Sequence, residues 1–163
     1  RRLRANIEPT ITVRQFGNPD LALSKASNCD MLIFDGAPKA SKATAVMAKA
    51  ADLVIIPTGV SLDDLEPAVA LANALVDRDG VPVSRIVFAL SLTGTSTLEI
   101  DEARTYLSKT RFDVLDGSIP KKTAFSRAHD AGLSLIETPF KGPRDQAAQV
   151  IGAAVARFEA LTV

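Results

Sequence analysis

The sequence predicts an α/β protein with a mostly parallel sheet and helices on both faces. Continuous apolar runs recur along the chain, at residues 31–34, 53–56 and 86–90. An apolar run without alternation is typical of a strand that is buried on both faces. Stretches of helical composition separate these runs, and strands that alternate with helices form parallel sheets. The 163 residues suit one domain, so we expect a single domain over 1–163.

The first third of the chain predicts two strands and two helices, at 10–16, 20–26, 31–34 and 41–50. Alternating β-rich residues favour the first strand. Asn18 and Pro19 are typical of the N-cap and first position of a helix, and Ser41 suits the N-cap of the next one. Cys29 precedes the second strand and is predicted to be a small core residue rather than a nucleophile.

The remaining two thirds predict three strands, at 53–58, 86–90 and 112–115, and four helices, at 61–78, 96–108, 121–131 and 143–160. Pro57 should end its strand, because proline donates no ladder hydrogen bond. Ser61 is a candidate N-cap, and Ser96 with Glu99 has the spacing of a capping box. The last helix carries a predicted buried stripe of Ala147, Val150, Ile151, Val155 and Phe158.

Composition limits the classes of function. Nineteen basic residues balance nineteen acidic ones, so attraction to nucleic acid or membranes would need a local patch. The single cysteine excludes a disulfide framework and disfavours a zinc site. No apolar run approaches the ~18 residues of a membrane span, and we expect a cytoplasmic protein that binds no membrane.

Polar loops follow the predicted strands at 35–39, 57–61, 91–96 and 119–122. Because the carboxyl ends of parallel strands share one edge of a sheet, we expect these loops to form one crevice. Asp35 is either the magnesium ligand of a nucleotide site or only the first residue of an Asp-Gly turn, and the residues alone leave both open. His129 stands alone and is not expected to be catalytic.

Three segments carry a resemblance to a known family. The run 29–38, CDMLIFDGAP, resembles the Walker B region of the ParA/MinD family of deviant P-loop ATPases, and 50–65, AADLVIIPTGVSLDDL, is similar to that family's A-A-D-L-V-L-I-P…S-x-x-D-L segment. Ile119-Pro120, followed by Ala124-Phe125, Ala128, Gly132 and Glu137, resembles its late segment. The agreement spans about 30–158. Few basic residues mark the last helix, which favours the ParA partition branch over the membrane-binding MinD branch.

The resemblance implies a P-loop NTPase-like fold, ATP and Mg²⁺ as cofactors, and a homodimer that forms face to face around ATP. It also implies non-specific DNA binding, a ParB-type partner that stimulates hydrolysis, and a nucleoid-associated location. Asp35 matches the Walker B acid, which is catalytic and holds the metal. Pro120, with Ile119, matches the segment against the adenine, and Ser91 stands where the MinD branch has an adenine-reading Asn.

The sequence also departs from the family. It contains no G-K-G-G-x-G-K-T/S phosphate loop, and Gly36 replaces a common Thr. Since the chain starts at Arg1, we expect the C-terminal portion of a ParA-type ATPase that lacks its N-terminal β-α unit and is inactive alone. The alternatives are a ParA-like binding module that naturally lacks the loop, a MinD-like positioning protein, and a flavodoxin-like or Rossmann-like enzyme. The last of these lacks G-x-G-x-x-G.

Two basic clusters are candidates for DNA contact. They comprise Lys121, Lys122 and Arg127 after the late strand, and Lys141 and Arg144 at the last helix. In the ParA branch, basic residues of this region contact the DNA backbone. Phosphate contacts require charge but no reading of bases, so such clusters suffice. The competing interpretation is an ordinary solvated surface.

Overall fold

The structure is a computed structural model and describes residues 12–26, 29–36 and 41–162. Contacts divide the chain into two compact units, Arg1–Ala51 and Asp52–Val163, which are described separately. The start of the predicted strand 10–16 and most of the predicted loop 35–39 lie outside the described residues.

Helices α1 (Pro19–Ser24) and α2 (Lys42–Ala50) form in the first unit, and their predicted caps are confirmed. The Asn18 side chain accepts a hydrogen bond of 2.8 Å from the backbone of Asp20, and Pro19 opens the helix. Ser41 and Thr44 exchange side-chain and backbone hydrogen bonds of 3.2 and 3.3 Å. These helix starts follow from local sequence, because each cap satisfies backbone donors that the helix leaves unpaired.

The strands predicted in the first unit are not observed in its described residues. Residues 12–16 and 31–34 have no regular secondary structure, and Met31 and Ile33 are 56% and 81% exposed. The prediction of a strand buried on both faces at 31–34 is therefore wrong. A parallel strand needs hydrogen-bonded neighbours, and the described part of this unit contains no strand. Cys29 is likewise exposed, so its predicted core position is also wrong.

The second unit contains a parallel sheet with β2 (Ile86–Thr93) as its most connected strand. Three further strands pair with β2, all in parallel: β1 (Val54–Thr58), β3 (Asp113–Val114) and β4 (Ile119–Pro120). The predicted parallel α/β class is thus confirmed for this unit.

Two strand ends differ from the prediction. β1 runs through Pro57 instead of stopping there, with Pro57 opposite Ala89 and Thr58 opposite Leu90. Among the described residues β1 pairs only with β2, and an edge strand tolerates a proline because one side of it needs no donors. β2 continues to Thr93, so the first residues of the predicted loop 91–96 belong to the strand.

Four helices flank this sheet: α3 (Leu62–Asp77), α4 (Thr97–Ser108), α5 (Thr123–Asp130) and α6 (Lys141–Thr162). The Ser96 hydroxyl accepts the predicted hydrogen bond from the backbone of Glu99, at 3.3 Å. Ser61 makes no such bond to the helix backbone and donates instead to the Asp64 carboxylate at 2.7 Å. Short 3₁₀ helices occupy Val83–Arg85 and Leu135–Glu137.

Both faces of β2 are buried, since residues 86–90 are all less than a tenth exposed. Val87 and Ala89 point to one face and form a cluster with Leu115 and Val150, which places α6 over that face. The ring of Phe88 meets the ring of Phe112 edge to face, with centroids 5.7 Å apart. The core of this unit is therefore built around β2.

The buried stripe predicted on α6 is only partly right. Ala147 and Val150 are buried and Phe158 is half-buried, but Ile151 and Val155 are 37% and 45% exposed. Ala153 and Ala154 pack against the core cluster instead. At 100° per residue, Ile151 and Val155 lie around the side of the helix, and the sheet covers a narrower arc than the pattern suggests.

Candidate nucleic-acid interface

Three of the four predicted loops meet at the carboxyl edge of the sheet. Thr58 lies opposite Leu90, and Thr93 lies opposite Pro120, so β1, β2 and β4 all end at this edge. The backbone of Lys121 donates a hydrogen bond of 2.9 Å to the Thr93 carbonyl, which continues the pairing into the loop. The fourth loop, at 35–39, belongs to the other unit and is only partly described.

The residues that match the adenine segment of the resembled family lie side by side. Ser91 is half-buried and faces Ile119 across the β2–β4 pair, while Pro120 is buried next to Thr93. The Ser91 hydroxyl donates 3.3 Å to the Ala89 carbonyl. The structure thus brings these residues together at the carboxyl edge.

Leu92 interrupts β2 in a way that no sequence signal indicated. Its φ is +54°, its side chain is 74% exposed, and the register between β2 and β4 shifts at this point. A residue with a Cβ in the left-handed region costs roughly 1–2 kcal/mol, and turn formers such as Gly or Asn usually occupy it. A bulge of this kind redirects the strand where it enters the loop.

The first predicted basic cluster lines one groove, which we name the basic groove, and the second cluster adjoins it in the chain. The groove is an open cavity of about 540 Å³ lined by Lys121, Lys122, Thr123, Arg127, Phe140 and Pro143. Lys121 and Lys122 directly precede α5, and Thr123 and Arg127 belong to it. Phe140 directly precedes α6, and Pro143 lies in its first turn. Lys141 and Arg144 are exposed and directly follow Phe140 and Pro143 in the chain.

Three hydrogen bonds order the two walls of the basic groove. The Lys122 side chain donates a bond of 3.1 Å to the Gln146 amide oxygen, which links α5 to α6. The backbone of Phe125 donates 3.0 Å to the Lys122 carbonyl, and that of Arg144 donates 3.0 Å to the Phe140 carbonyl. One side-chain bond therefore joins the two helices, and the backbone bonds order the start of each helix separately.

The cations of the basic groove have no carboxylate partner among the described residues. The ion pairs among the described residues lie elsewhere and join Arg78 with Asp79, Arg111 with Asp77, and Arg157 with Asp113. Arg78 lies outside the groove. Its hydrogen bond to Asp79, together with the negative charge of that carboxylate, raises the pKa of Arg78. The positive end of α5 also points to the groove, because Lys122 is its N-cap and supplies no side-chain cap. The groove thus favours anions.

A second cavity, of about 450 Å³, contains arginines that are already bonded. Arg111 donates to Asp77 and Asn73 at 2.7 and 2.8 Å and lies 5.4 Å from the centre of the Phe112 ring. Arg104 donates to the carbonyls of residues 115 and 117. These cations support the fold, in contrast to those of the basic groove.

The described residues do not form a complete magnesium–ATP site. Asp35 is exposed, and it follows a segment that is not a strand. No group of three or more His, Cys, Asp or Glu side chains within the described ranges could hold a metal ion. The 163 residues also contain no glycine-rich phosphate loop. His129 is exposed on α5.

Along the described helices, none has the length and apolar character that crossing a membrane requires.

Comparison with known proteins adds no family to this description. The chain matches no model of a protein family and no curated protein. The ParA/MinD resemblance therefore stays a prediction that depends on the three quoted segments.

Proposed function

We propose that this chain is the DNA-contacting α/β part of a ParA-type partition ATPase. In this proposal the protein dimerises with ATP, binds DNA non-specifically on the nucleoid, and hydrolyses ATP when a ParB-type partner stimulates it. The observation that carries the proposal is the basic groove, whose cations have no carboxylate partner among the described residues and lie beside the starts of two helices.

Charge is the property that suits the basic groove to DNA. The chain as a whole is neutral, yet Lys121, Lys122 and Arg127 line one cavity and Lys141 and Arg144 lie next to it. Each phosphate contact lowers the slope of log affinity against log salt by about 0.9, so five cations give a slope of roughly −3 to −5. Such contacts position a backbone without reading sequence, as non-specific binding requires.

The partition assignment has its support in where the resembling segments lie. Residues 50–65 cover β1 and the start of α3, and the Ile119–Glu137 segment covers β4 and α5. Both segments reach the carboxyl edge of the sheet, where open α/β sheets bind ligands. Adenine contact by Ser91, Ile119 and Pro120, and magnesium binding by Asp35, are parts of the proposal that the resemblance alone supports.

The DNA-binding part is tested by fluorescence anisotropy with a labelled duplex at increasing KCl. We expect the wild-type chain to bind with the steep salt slope given above. The variant K121A/K122A/R127A should bind more weakly at low salt, with a slope reduced by about one per charge removed. Lys109→Ala removes one cation at the C-cap of α4, outside the groove, and as the control it should leave the slope unchanged. Absence of duplex binding by the wild-type chain at low salt would refute the proposal.

A second candidate is a ParA-like binding module that does not hydrolyse ATP. The absence of a G-K-G-G-x-G-K stretch from the 163 residues favours it. Because the 163 residues contain no phosphate loop, the two candidates are separated by the response of the full-length protein to Mg-ATP. Duplex affinity that is equal with and without Mg-ATP supports the binding module. Affinity that rises with Mg-ATP, and loses that rise in Asp35→Ala, supports the ATPase.

A further inference from the structure

We propose that the basic groove accepts an unpaired nucleotide, so that the protein binds single-stranded DNA more tightly than duplex DNA of the same length. The base would stack on Phe140, and its phosphate would lie against the lysines at the start of α5. This inference depends on the proposed DNA binding and names the form of DNA that the groove suits.

Phe140 is the first observation behind the inference. Its side chain is 50% exposed and lines the basic groove together with Lys121 and Arg127. In the part of the chain that the structure describes, the ring contacts join Phe88 with Phe112 and Phe112 with Arg111, and none involves Phe140. An exposed aromatic ring contributes little to phosphate contacts, because those contacts depend on charge. Base stacking on aromatic side chains is the usual contribution of such a ring in grooves that bind single strands.

The basic groove has the volume of a small-ligand site. Its volume of about 540 Å³ lies within the range of roughly 300–1,000 Å³ that holds small ligands. The cations stand on the α5 wall and the ring on the α6 wall, so a phosphate and its base can contact opposite walls. In a duplex the bases are stacked and paired inside, and only the backbone could reach the groove. The Thr123 hydroxyl offers a further hydrogen bond at the α5 wall.

The two walls are joined by a hydrogen bond before any ligand binds. The Lys122–Gln146 bond joins them, and the Arg144 backbone bond anchors the Phe140 carbonyl to the first turn of α6. A groove that is already ordered loses less conformational entropy on binding, which favours a specific ligand shape over a diffuse charge.

The test compares labelled oligo(dT) with a duplex of equal length, both by anisotropy at one salt concentration. The wild-type chain should bind oligo(dT) more tightly. Phe140→Ala should weaken oligo(dT) binding by roughly 5- to 150-fold, which is the range for losing one stacked base, and should leave duplex affinity within about twofold. Leu62→Ala removes another exposed apolar side chain, 58% exposed at the start of α3, and should change neither affinity.

A second variant tests the contact directly and does not depend on truncation. The chain contains no tryptophan, so the emission of Phe140→Trp reports this position alone. Oligo(dT) should quench that emission, while duplex DNA at saturation should quench it much less. Equal affinity for the two DNA forms, or oligo(dT) binding without quenching, would overturn the inference and leave the proposed duplex binding intact. Failure to bind either form would refute the proposed DNA binding itself.

Discussion

Lys122 donates its side-chain hydrogen bond to a neutral amide, that of Gln146, across 3.1 Å. A carboxylate at the same place would hold the lysine equally well, but it would also cancel its charge. The amide fixes the position of Lys122 and leaves the full positive charge at the wall of the basic groove. Gln146 is therefore a positioning residue for the cation rather than a counter-ion.

Gln146→Glu is expected to separate these two effects. The carboxylate would form an ion pair with Lys122, so the free energy of unfolding should stay within about 1 kcal/mol of the wild type. The affinity for DNA should fall at low salt. The slope of log affinity against log salt should become shallower by about one, which corresponds to the loss of one cation. Gln149→Glu, on the same helix beside Gly117, adds the same charge away from the groove and is the control. Equal DNA binding by the two variants would contradict this role for Gln146.

The protein should be more stable with glycine than with alanine at position 92. The φ of +54° at Leu92 strains any residue that has a Cβ, and the 74% exposed side chain of Leu92 gives up little packing when it is removed. Relief of strain, less the entropy of glycine, predicts that Leu92→Gly raises the free energy of unfolding by about 0.5–1 kcal/mol. Leu92→Ala keeps the strain and should not be stabilising. Urea denaturation of both variants measures the difference, and a gain in the alanine variant alone would refute it.

The same substitution is expected to have opposite effects at two glycines. Gly132 follows the C-terminus of α5 with a φ of +71°, and its backbone donates a hydrogen bond of 2.9 Å to the His129 carbonyl. Because this φ strains any residue with a Cβ, Gly132→Ala should lower the free energy of unfolding by about 1–2 kcal/mol. Gly152 lies within α6, where a Cβ meets nothing within 4 Å, and Gly152→Ala should add about 0.5–1 kcal/mol of stability. Thermal unfolding should therefore shift in opposite directions. A shift of the same sign in both variants would be inconsistent with these backbone assignments.

Two valines of α6 test which side of the helix is buried. Val150 is 4% exposed in the cluster with Val87, and removal of its two methyl groups should cost about 1.5–2.5 kcal/mol. Val155 is 45% exposed, and Val155→Ala should change stability by less than about 0.5 kcal/mol. Chemical denaturation provides both values. A large loss for Val155→Ala would show that a surface in solution covers this residue.

Local signals made the helices and the two long strands predictable. Asn18, Ser41 and Ser96 cap helices where the sequence places them, because each cap bond spans only two or three residues. The strand predicted at 31–34 failed, since apolar composition does not specify a pairing partner. The prediction that Ile151 is buried failed for a related reason. The width of the sheet under α6 is set by residues distant in sequence.

The basic groove was predictable in its charges but not in its construction. Lys121, Lys122 and Arg127 were candidates from their spacing alone, and the structure brings them to the same wall. The opposite wall depends on the Lys122–Gln146 bond and on Phe140, which no motif singled out. Contacts of this kind join residues about twenty positions apart, so they emerge only from the packing of α5 against α6.

The central position of β2 also has a kinetic consequence. All of its pairings are parallel, and each of them joins segments that a helix or a loop separates along the chain. No hairpin can therefore form early and act as a template for the sheet. During synthesis β2 is complete before β3 and β4 exist, and β1 is the one described strand with which its apolar residues 86–90 can then pair. Refolding should accordingly take place in milliseconds or longer. During synthesis, the incomplete sheet with β2 unpaired on one side is the species most prone to aggregate.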